Sequence, residues 1–369
     1  MVVEILRLGI YQIIYMDKVP ESAAVNESVK LAKKLTRGLS GFVNAILRSV
    51  IREQDSIGIE DLAANDIEAI SFIYNIPLWL INLWIREFGR DKTEDLCAWF
   101  NEQPKLTARI NTILIDIPQC LTMLNEQGWA VTQDSDYEDI IYINSHRGSL
   151  EKSEAFIKGY ITFMDKASML VARLVNPQPG ERILDCCAAP GGKSMYMAAL
   201  MDNVGSLMSC DIHEHKIELM NSNAERLGAS IVHTKVQDAT KLPDSWNSYF
   251  DRVLVDAPCS GLGILQKKLD MRWRKQESIL RELPPLQLAI LERAAMTVKE
   301  KGYLIYSTCT LNYKENEEVV EAFLQKHKEF SIIPVADDFP LKSNSGMITT
   351  YPPTDDMDGF FMVKMQRIS

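Results

Sequence analysis

The segment Arg182-Ile183-Leu184-Asp185-Cys186-Cys187-Ala188-Ala189-Pro190-Gly191-Gly192-Lys193-Ser194 decides how the rest of the chain is read. Ile183 and Leu184 form a short apolar strand that stops on Asp185, and residues 193–201 have the spacing of a helix. Between them lie small residues and two glycines, which let backbone come close to a ligand at the helix N-terminus. Working outward, apolar strands recur at 206–211, 231–236, 252–256 and 302–307, with helical stretches between them that include 215–227 and 285–298. This alternation predicts an α/β fold built on a doubly wound, mostly parallel sheet. Residues 331–335 and 360–365 have no helix between them and are expected to close the sheet as an antiparallel pair.

Ligands of such sheets sit at the carboxyl ends of the strands. Asp211 ends the second strand and is placed to accept hydrogen bonds from ribose hydroxyls. Asp238 follows the third strand, where it can read an adenine amino group. Together with the loop 187–193, these acids suggest a nucleoside pocket. A phosphate-binding loop is the competing reading, because Gly192-Lys193-Ser194 ends like one and Val253-Leu254-Val255-Asp256 resembles its metal-binding strand. That motif, however, needs its first glycine where Cys187 stands, and Pro190 stiffens the turn that must wrap phosphate.

The fourth strand ends in Asp256-Ala257-Pro258-Cys259-Ser260-Gly261 and the fifth in Ser307-Thr308-Cys309-Thr310. Neighbouring strands lie about 4.8 Å apart, so Cys259 and Cys309 are expected to face one pocket. Cys97, Cys120, Cys186 and Cys210 read as buried core thiols. Cys210, His213, His215 and His233 lack the spacing of a zinc site, and no metal is expected.

The chain has 369 residues, enough for two or three domains. Its 46% apolar and 24% charged residues exclude disordered and fibrous classes. No run is long and apolar enough to span a membrane, and Glu4, Arg7 and Asp17 interrupt the N-terminal apolar stretch, against a secretory signal. Seven cysteines in such a chain suit the reducing cytoplasm. The net charge of −10 argues against a general nucleic-acid coat, yet basic residues cluster. Lys30, Lys33, Lys34, Arg37, Arg48 and Arg52 lie in a stretch without an acid, and a second patch holds Arg272, Trp273 and Arg274. Such patches suit an enzyme gripping nucleic acid at defined points, or else are solvated helix faces. Residues 1–55 read as three amphipathic helices, part of a bundle whose pattern is already under way at the first residue. Residues 56–160 read as short helices from Ile59 followed by a small α+β unit, and 161–369 as the sheet domain.

The Cys-Ala-Ala-Pro-Gly-Gly-Lys loop, the Asp-Ala-Pro-Cys-Ser-Gly turn and the Ser-Thr-Cys segment together resemble the RsmB/NOP family of RNA 5-methylcytosine methyltransferases, in its bacterial Sun/RsmB form that modifies 16S ribosomal RNA. Residues 6–52 are similar to the later helices of that family's NusB-like RNA-binding domain, shortened at its start, and Asp358-Gly359-Phe360-Phe361 to its closing strand. The small α+β unit would be RRM-like. The resemblance implies a Rossmann-like domain that binds S-adenosylmethionine through Cys187, Ala188, Ala189, Pro190, Gly191, Gly192, Lys193, Asp211, Asp238 and Asp256. It further implies 16S rRNA as substrate, and catalysis by Cys309, Cys259, Asp256 and Lys193; a monomer is the default expectation. Spacing alone does not decide which thiol attacks: a Pro-Cys nucleophile would be Cys259, whereas the RNA family uses the Thr-Cys thiol, here Cys309, and leaves release to Cys259. Lys30, Lys33, Lys34, Arg37, Arg48, Arg272, Trp273 and Arg274 would contact RNA. The alternatives are a tRNA cytosine-5 methyltransferase, a non-catalytic RNA-binding or ribosome-assembly protein, and the NTPase.

Overall fold

The computed structural model describes residues 1–53 and 67–368, and the chain divides into two compact units, Met1–Ile73 and Tyr74–Ser369. The expected boundary at 55/56 and the helix expected to start at Ile59 lie outside the described residues.

In the first unit, α1 (Val2–Tyr15), α2 (Glu21–Leu35) and α3 (Ser40–Glu53) pack around Ile5, Val25, Ala32, Val43 and Leu47. Gly9 lets α1 come close, since a Cβ there would meet Leu47 and Ser28 side chains at 2.8 Å. The short α4 (Ile67–Tyr74) ends at the division between the units.

The second unit opens with α5 (Leu78–Phe88) and α6 (Arg90–Asn101), which bury Leu80, Ile81, Trp84, Leu96, Cys97 and Phe100. No single helix among the described residues is long and apolar enough to cross a membrane. A four-stranded antiparallel sheet follows, made of β1 (Thr107–Ile110), β2 (Ala130–Gln133), β3 (Ile140–Ser145) and β4 (Ile161–Phe163) in the order β2-β3-β1-β4, with α7 (Ile117–Glu126) and α8 (Glu154–Ile157). The apolar alternation from Leu106 to Leu114 predicts a longer first strand, but the chain leaves the sheet after Ile110. Asn111 makes the turn, its amide donating to the carbonyls of Gly159 and Leu227 at 2.9 Å.

The acids at 134–139 fasten this sheet to α9 (Lys166–Val175). Lys166 donates to Asp134 at 2.6 Å and Asp136 at 2.9 Å, while Arg173 and Tyr196 converge on Asp139 at 2.5 and 2.8 Å. Arg173 and Tyr196 are themselves joined at 2.7 Å.

Beyond α9 the chain alternates β5 (Arg182–Asp185), α10 (Gly192–Leu200), β6 (Ser206–Asp211), α11 (Glu214–Arg226), β7 (Val232–Val236), β8 (Phe250–Asp256), α12 (Met271–Arg274), α13 (Ile279–Ala295), β9 (Val298–Thr308) and α14 (Glu317–Lys326). It finishes with β10 (Phe330–Ile332), β11 (Met347–Thr349), α15 (Pro352–Asp355) and β12 (Phe361–Arg367). The strands run β10-β12-β9-β8-β5-β6-β7, with β5 to β9 parallel and β12 antiparallel to β9. This is the doubly wound α/β sheet with its antiparallel closure. The expected helix 285–298 overlaps α13, which starts earlier and carries Pro284 and Pro285 inside it. A proline favours a helix start but does not require one. Val298, expected in that helix, is the first residue of β9.

The order reverses at β5, whose neighbours are β6 on one side and β8 on the other. The carboxyl end of that strand, at the switch point, is where this class of sheet binds ligands.

Candidate active site

Five strand ends meet at this edge of the sheet. On leaving β5 the chain turns through Gly191, whose φ of 99° a side-chain-bearing residue rarely adopts, and enters α10. A Cβ on Gly191 would also meet Met220 and Met195 at 3.2 and 3.3 Å. The turn is held inward by Ala188 N–H donating to the Cys210 carbonyl at 2.8 Å. Below it, Ser194 donates to buried Asp185 at 2.6 Å, and Ser209 reaches Ser194 at 2.9 Å. Burial, opposed in part by that hydrogen bond, pushes the Asp185 carboxyl up to about 7.

On one flank of the turn, Asp211 closes β6 with a largely buried carboxylate that accepts from His213 N–H at 2.9 Å. Asp238 follows β7, where hydrogen bonds from the Thr240 hydroxyl and N–H hold its carboxyl below the usual range. Two carboxylates, the first-turn N–H groups of α10 and a side-chain-free Gly191–Gly192 cradle match the hydroxyls, amine and close backbone approach of an adenosyl group. Asp211, Asp238 and the loop 187–193 fit S-adenosylmethionine. Cys187 is half-buried in this loop, and burial with the charges of Asp185 and Asp256 pushes its thiol well up.

The other flank holds the reactive groups. Lys193 Nζ donates to Asp256 Oδ2 at 2.7 Å, and Ser307 Oγ to Asp256 Oδ1 at 2.7 Å. Burial opposes the charge on Lys193, but Asp256 together with Cys309 and Asp185 holds the ammonium above its ordinary value. The register pairs Asp256 with Ser307, so the turns leaving β8 and β9 run side by side. They bring Cys259 Sγ to 3.3 Å from Cys309 Sγ, and Cys309 N–H also donates to Cys259 Sγ at 3.3 Å. The hydrogen bond with Cys309, then burial, pushes the Cys259 thiol well above an ordinary one. Cys309 opens onto a cavity of about 400 Å³ walled by Phe163, Met164, Ile264 and Phe360, with Lys105 and Lys268 also on its lining. An apolar slot with a thiol in its wall and lysines beside it suits a base turned out of its stack.

Cys97, Cys120, Cys186 and Cys210 are buried core thiols. Among the described residues no group of three His, Cys, Asp or Glu side chains could hold a metal ion. Lys30, Lys33, Lys34, Arg37 and Arg48 are exposed in the first unit, on α2, α3 and the turn between them.

Arg272 corrects the expectation for the second basic patch. It is only 4% exposed, and its guanidinium donates to Asn101 Oδ1 at 2.7 Å and to the Phe100 carbonyl, tying α12 to α6. A side chain so enclosed has no surface for a phosphate, whereas Trp273 and Arg274 are exposed. Arg272→Ala is therefore expected to cost about 2–3 kcal/mol in urea unfolding through the stranded carbonyl. The salt dependence of RNA binding should stay unchanged in that variant, and a shallower salt slope would restore Arg272 as a phosphate contact.

Sequence reasoning missed several groups. Asp165 caps α9 through Ala167 N–H and pairs with Lys267, which also holds Asp358 at 2.9 Å. Glu315, fully buried, gathers the loops of both cysteines. Its signal was an acid in the strand-end loop Thr310-Leu311-Asn312-Tyr313-Lys314-Glu315.

Comparison with family models matches three stretches in succession. These are the NusB family over residues 1–52, a Methyltr_RsmF/B-like ferredoxin-like domain over 76–148, and 16S rRNA methyltransferase RsmB/F over 172–366. Among curated proteins, the chain is 36% identical to a probable ribosomal RNA small subunit methyltransferase B of Bacillus subtilis, over 99% of this chain and 83% of that one. It is 38% identical to a protein of the same description from Synechocystis, over 98% and 82% of the two chains. The crystal structure of PH0851 superposes with a TM-score of 0.85 at 27% identity, covering 99% of this chain and 82% of that one. A methyltransferase homolog from Pyrococcus horikoshii shares the fold, with a TM-score of 0.72 at 22% identity over 82% and 99% of the two chains.

Proposed function

Because the chain belongs to the RsmB/F family of 16S rRNA methyltransferases, we propose that it methylates carbon 5 of a cytosine in 16S ribosomal RNA, using S-adenosylmethionine and a covalent Cys309–cytosine intermediate. The observation that carries this reading is the pair of sulfurs 3.3 Å apart at the ends of adjacent strands, beside the Lys193–Asp256 pair.

Carbon 5 of cytosine is too electron-poor to attack a methyl donor. Addition of the Cys309 thiolate to carbon 6 turns carbon 5 into an enamine-like nucleophile. Loss of the carbon 5 proton and departure of the sulfur then restore the ring, so one hard step becomes two easier ones. In this reading Asp256 accepts a hydrogen bond from the exocyclic amine of the base, or from N3 once that nitrogen is protonated, and the Lys193 ammonium beside it offsets charge spreading into the ring. Cys259 serves release. Bound at the Gly191–Lys193 turn, S-adenosylmethionine supplies the electrophilic methyl group.

In this reading residues 1–55 dock RNA through Lys30, Lys33, Lys34, Arg37 and Arg48, residues 56–160 carry the linker and small sheet, and 161–369 perform the chemistry. Trp273 and Arg274 add contacts near the site. The test incubates the whole chain with labelled S-adenosylmethionine and unmodified 16S rRNA or tRNA. Nucleoside analysis is expected to find 5-methylcytosine in the rRNA. Label in tRNA alone would move the enzyme to the other substrate. No label in either would leave an RNA-binding protein on the same fold.

A further inference from the structure

Beyond the last paired residues of β8 and β9, something other than the strand ladder must hold the two cysteine turns in register. Glu315 does so. Its carboxylate accepts from Ser260 N–H at 2.8 Å, Ser260 Oγ at 2.5 Å, Asn312 Nδ2 at 2.9 Å and Gln287 Nε2 at 2.9 Å. Ser260 follows Cys259 in the chain, and its hydroxyl also meets Thr310 Oγ1, next to Cys309, at 2.8 Å. Tyr306 donates to the Glu315 carbonyl at 2.6 Å, and Gln287 reaches back to the Pro258 carbonyl at 3.0 Å.

The donor set suits a carboxylate. An N–H and two amide NH₂ groups can only donate, and the Ser260 hydroxyl is a fourth partner for the two oxygens. The partners named are all neutral, so an ionised Glu315 carries its negative charge inside the protein beside the Cys259 turn.

We propose that Glu315 is an ionised positioning residue that locks the Cys259 turn to the Cys309 loop and keeps the proton on Cys259. The proposal takes its purpose from the methyl-transfer reading above, but its test needs neither RNA nor methyl donor. Facing Cys259 are Asp256 at the end of its own strand, Tyr306 and Cys309 from β9 and its turn, and Glu315. The two carboxylates oppose a second negative charge on Cys259, in keeping with its raised thiol. The Lys193 ammonium, by contrast, interacts favourably with charge on Cys309.

The experiment follows iodoacetamide alkylation of Cys259 against pH in the full chain, by peptide mass spectrometry, in a Cys309→Ala background. With Glu315 intact, the midpoint is expected above the ordinary thiol value of about 8.5. Adding Glu315→Gln should lower it by about one pH unit, while Glu315→Asp, which keeps the charge, should leave it in place. A purely structural role would lower the melting temperature of both variants and move the midpoint in neither, which overturns the proposal. A Cys259 midpoint at or below about 8.5 with Glu315 intact also overturns it, and that measurement stands even if Glu315→Gln does not fold. A wild type inert on every RNA would sink the methyl-transfer reading and leave this result untouched.

Discussion

Cys309→Ala is expected to lose methyl transfer by more than about 10⁴-fold, as removal of a covalent nucleophile does. Cys259→Ala is expected instead to accumulate enzyme covalently bound to RNA. The sulfurs are 3.3 Å apart, so distance alone does not separate their roles. Their surroundings do. Cys309 lines the cavity beside Phe163, Ile264 and Phe360, where a base can lie against it. Cys259 is not among the residues lining that cavity and accepts a hydrogen bond from Cys309 N–H. An attacking thiol must reach carbon 6, and the cavity gives that access to Cys309. Denaturing gels of RNA incubated with each variant read the outcome directly. An adduct that persists only with Cys259→Ala fixes Cys309 as nucleophile, and an adduct seen only with Cys309→Ala exchanges the two roles.

The strands, the Gly191–Lys193 turn and the two cysteines were legible because their signals are local. Apolar alternation and the residue ending each strand are written within a few positions, and a doubly wound sheet puts strand ends on one side whatever the loops do. What the reading could not supply were partners far away in sequence. Arg272 looked like part of a basic patch because neighbouring residues are basic, yet its acceptors lie 171 and 172 residues upstream. Asp134, Asp136 and Asp139 are close in sequence, but their partners are the distant Lys166 and Arg173, and they fasten two layers together. Charge in a sequence shows what a side chain can pair with, and only packing shows what it does pair with. Glu315 is the same case: an acid flanked by Lys314 and Asn316 reads as surface, while the fold closes four donors over it.

Lys193→Met and Asp256→Asn are each expected to slow single-turnover methylation by about 10²–10⁴-fold, and the double variant to be little slower than the worse single. The two side chains share one hydrogen bond of 2.7 Å, and are 12% and 26% exposed. Lys193 also feels the charges of Cys309 and Asp185, so its ammonium sits beside three groups that are negative when ionised. Removing it leaves Asp256 without its cation beside the incoming base, and the Cys309 thiolate loses the charge that favours it. Removing the Asp256 charge instead frees the ammonium from the position where it can offset charge in the ring. Either change disables the same device, which is why the losses should not multiply. S-adenosylhomocysteine affinity, followed by calorimetry, is expected to fall far less than the rate, because Asp211, Asp238 and the glycine turn remain. Losses that multiply would mean that the two residues act separately. A fall in affinity as large as the fall in rate would mean that the Lys193 ammonium serves cofactor binding rather than the base, and leave Asp256 to act on the base alone.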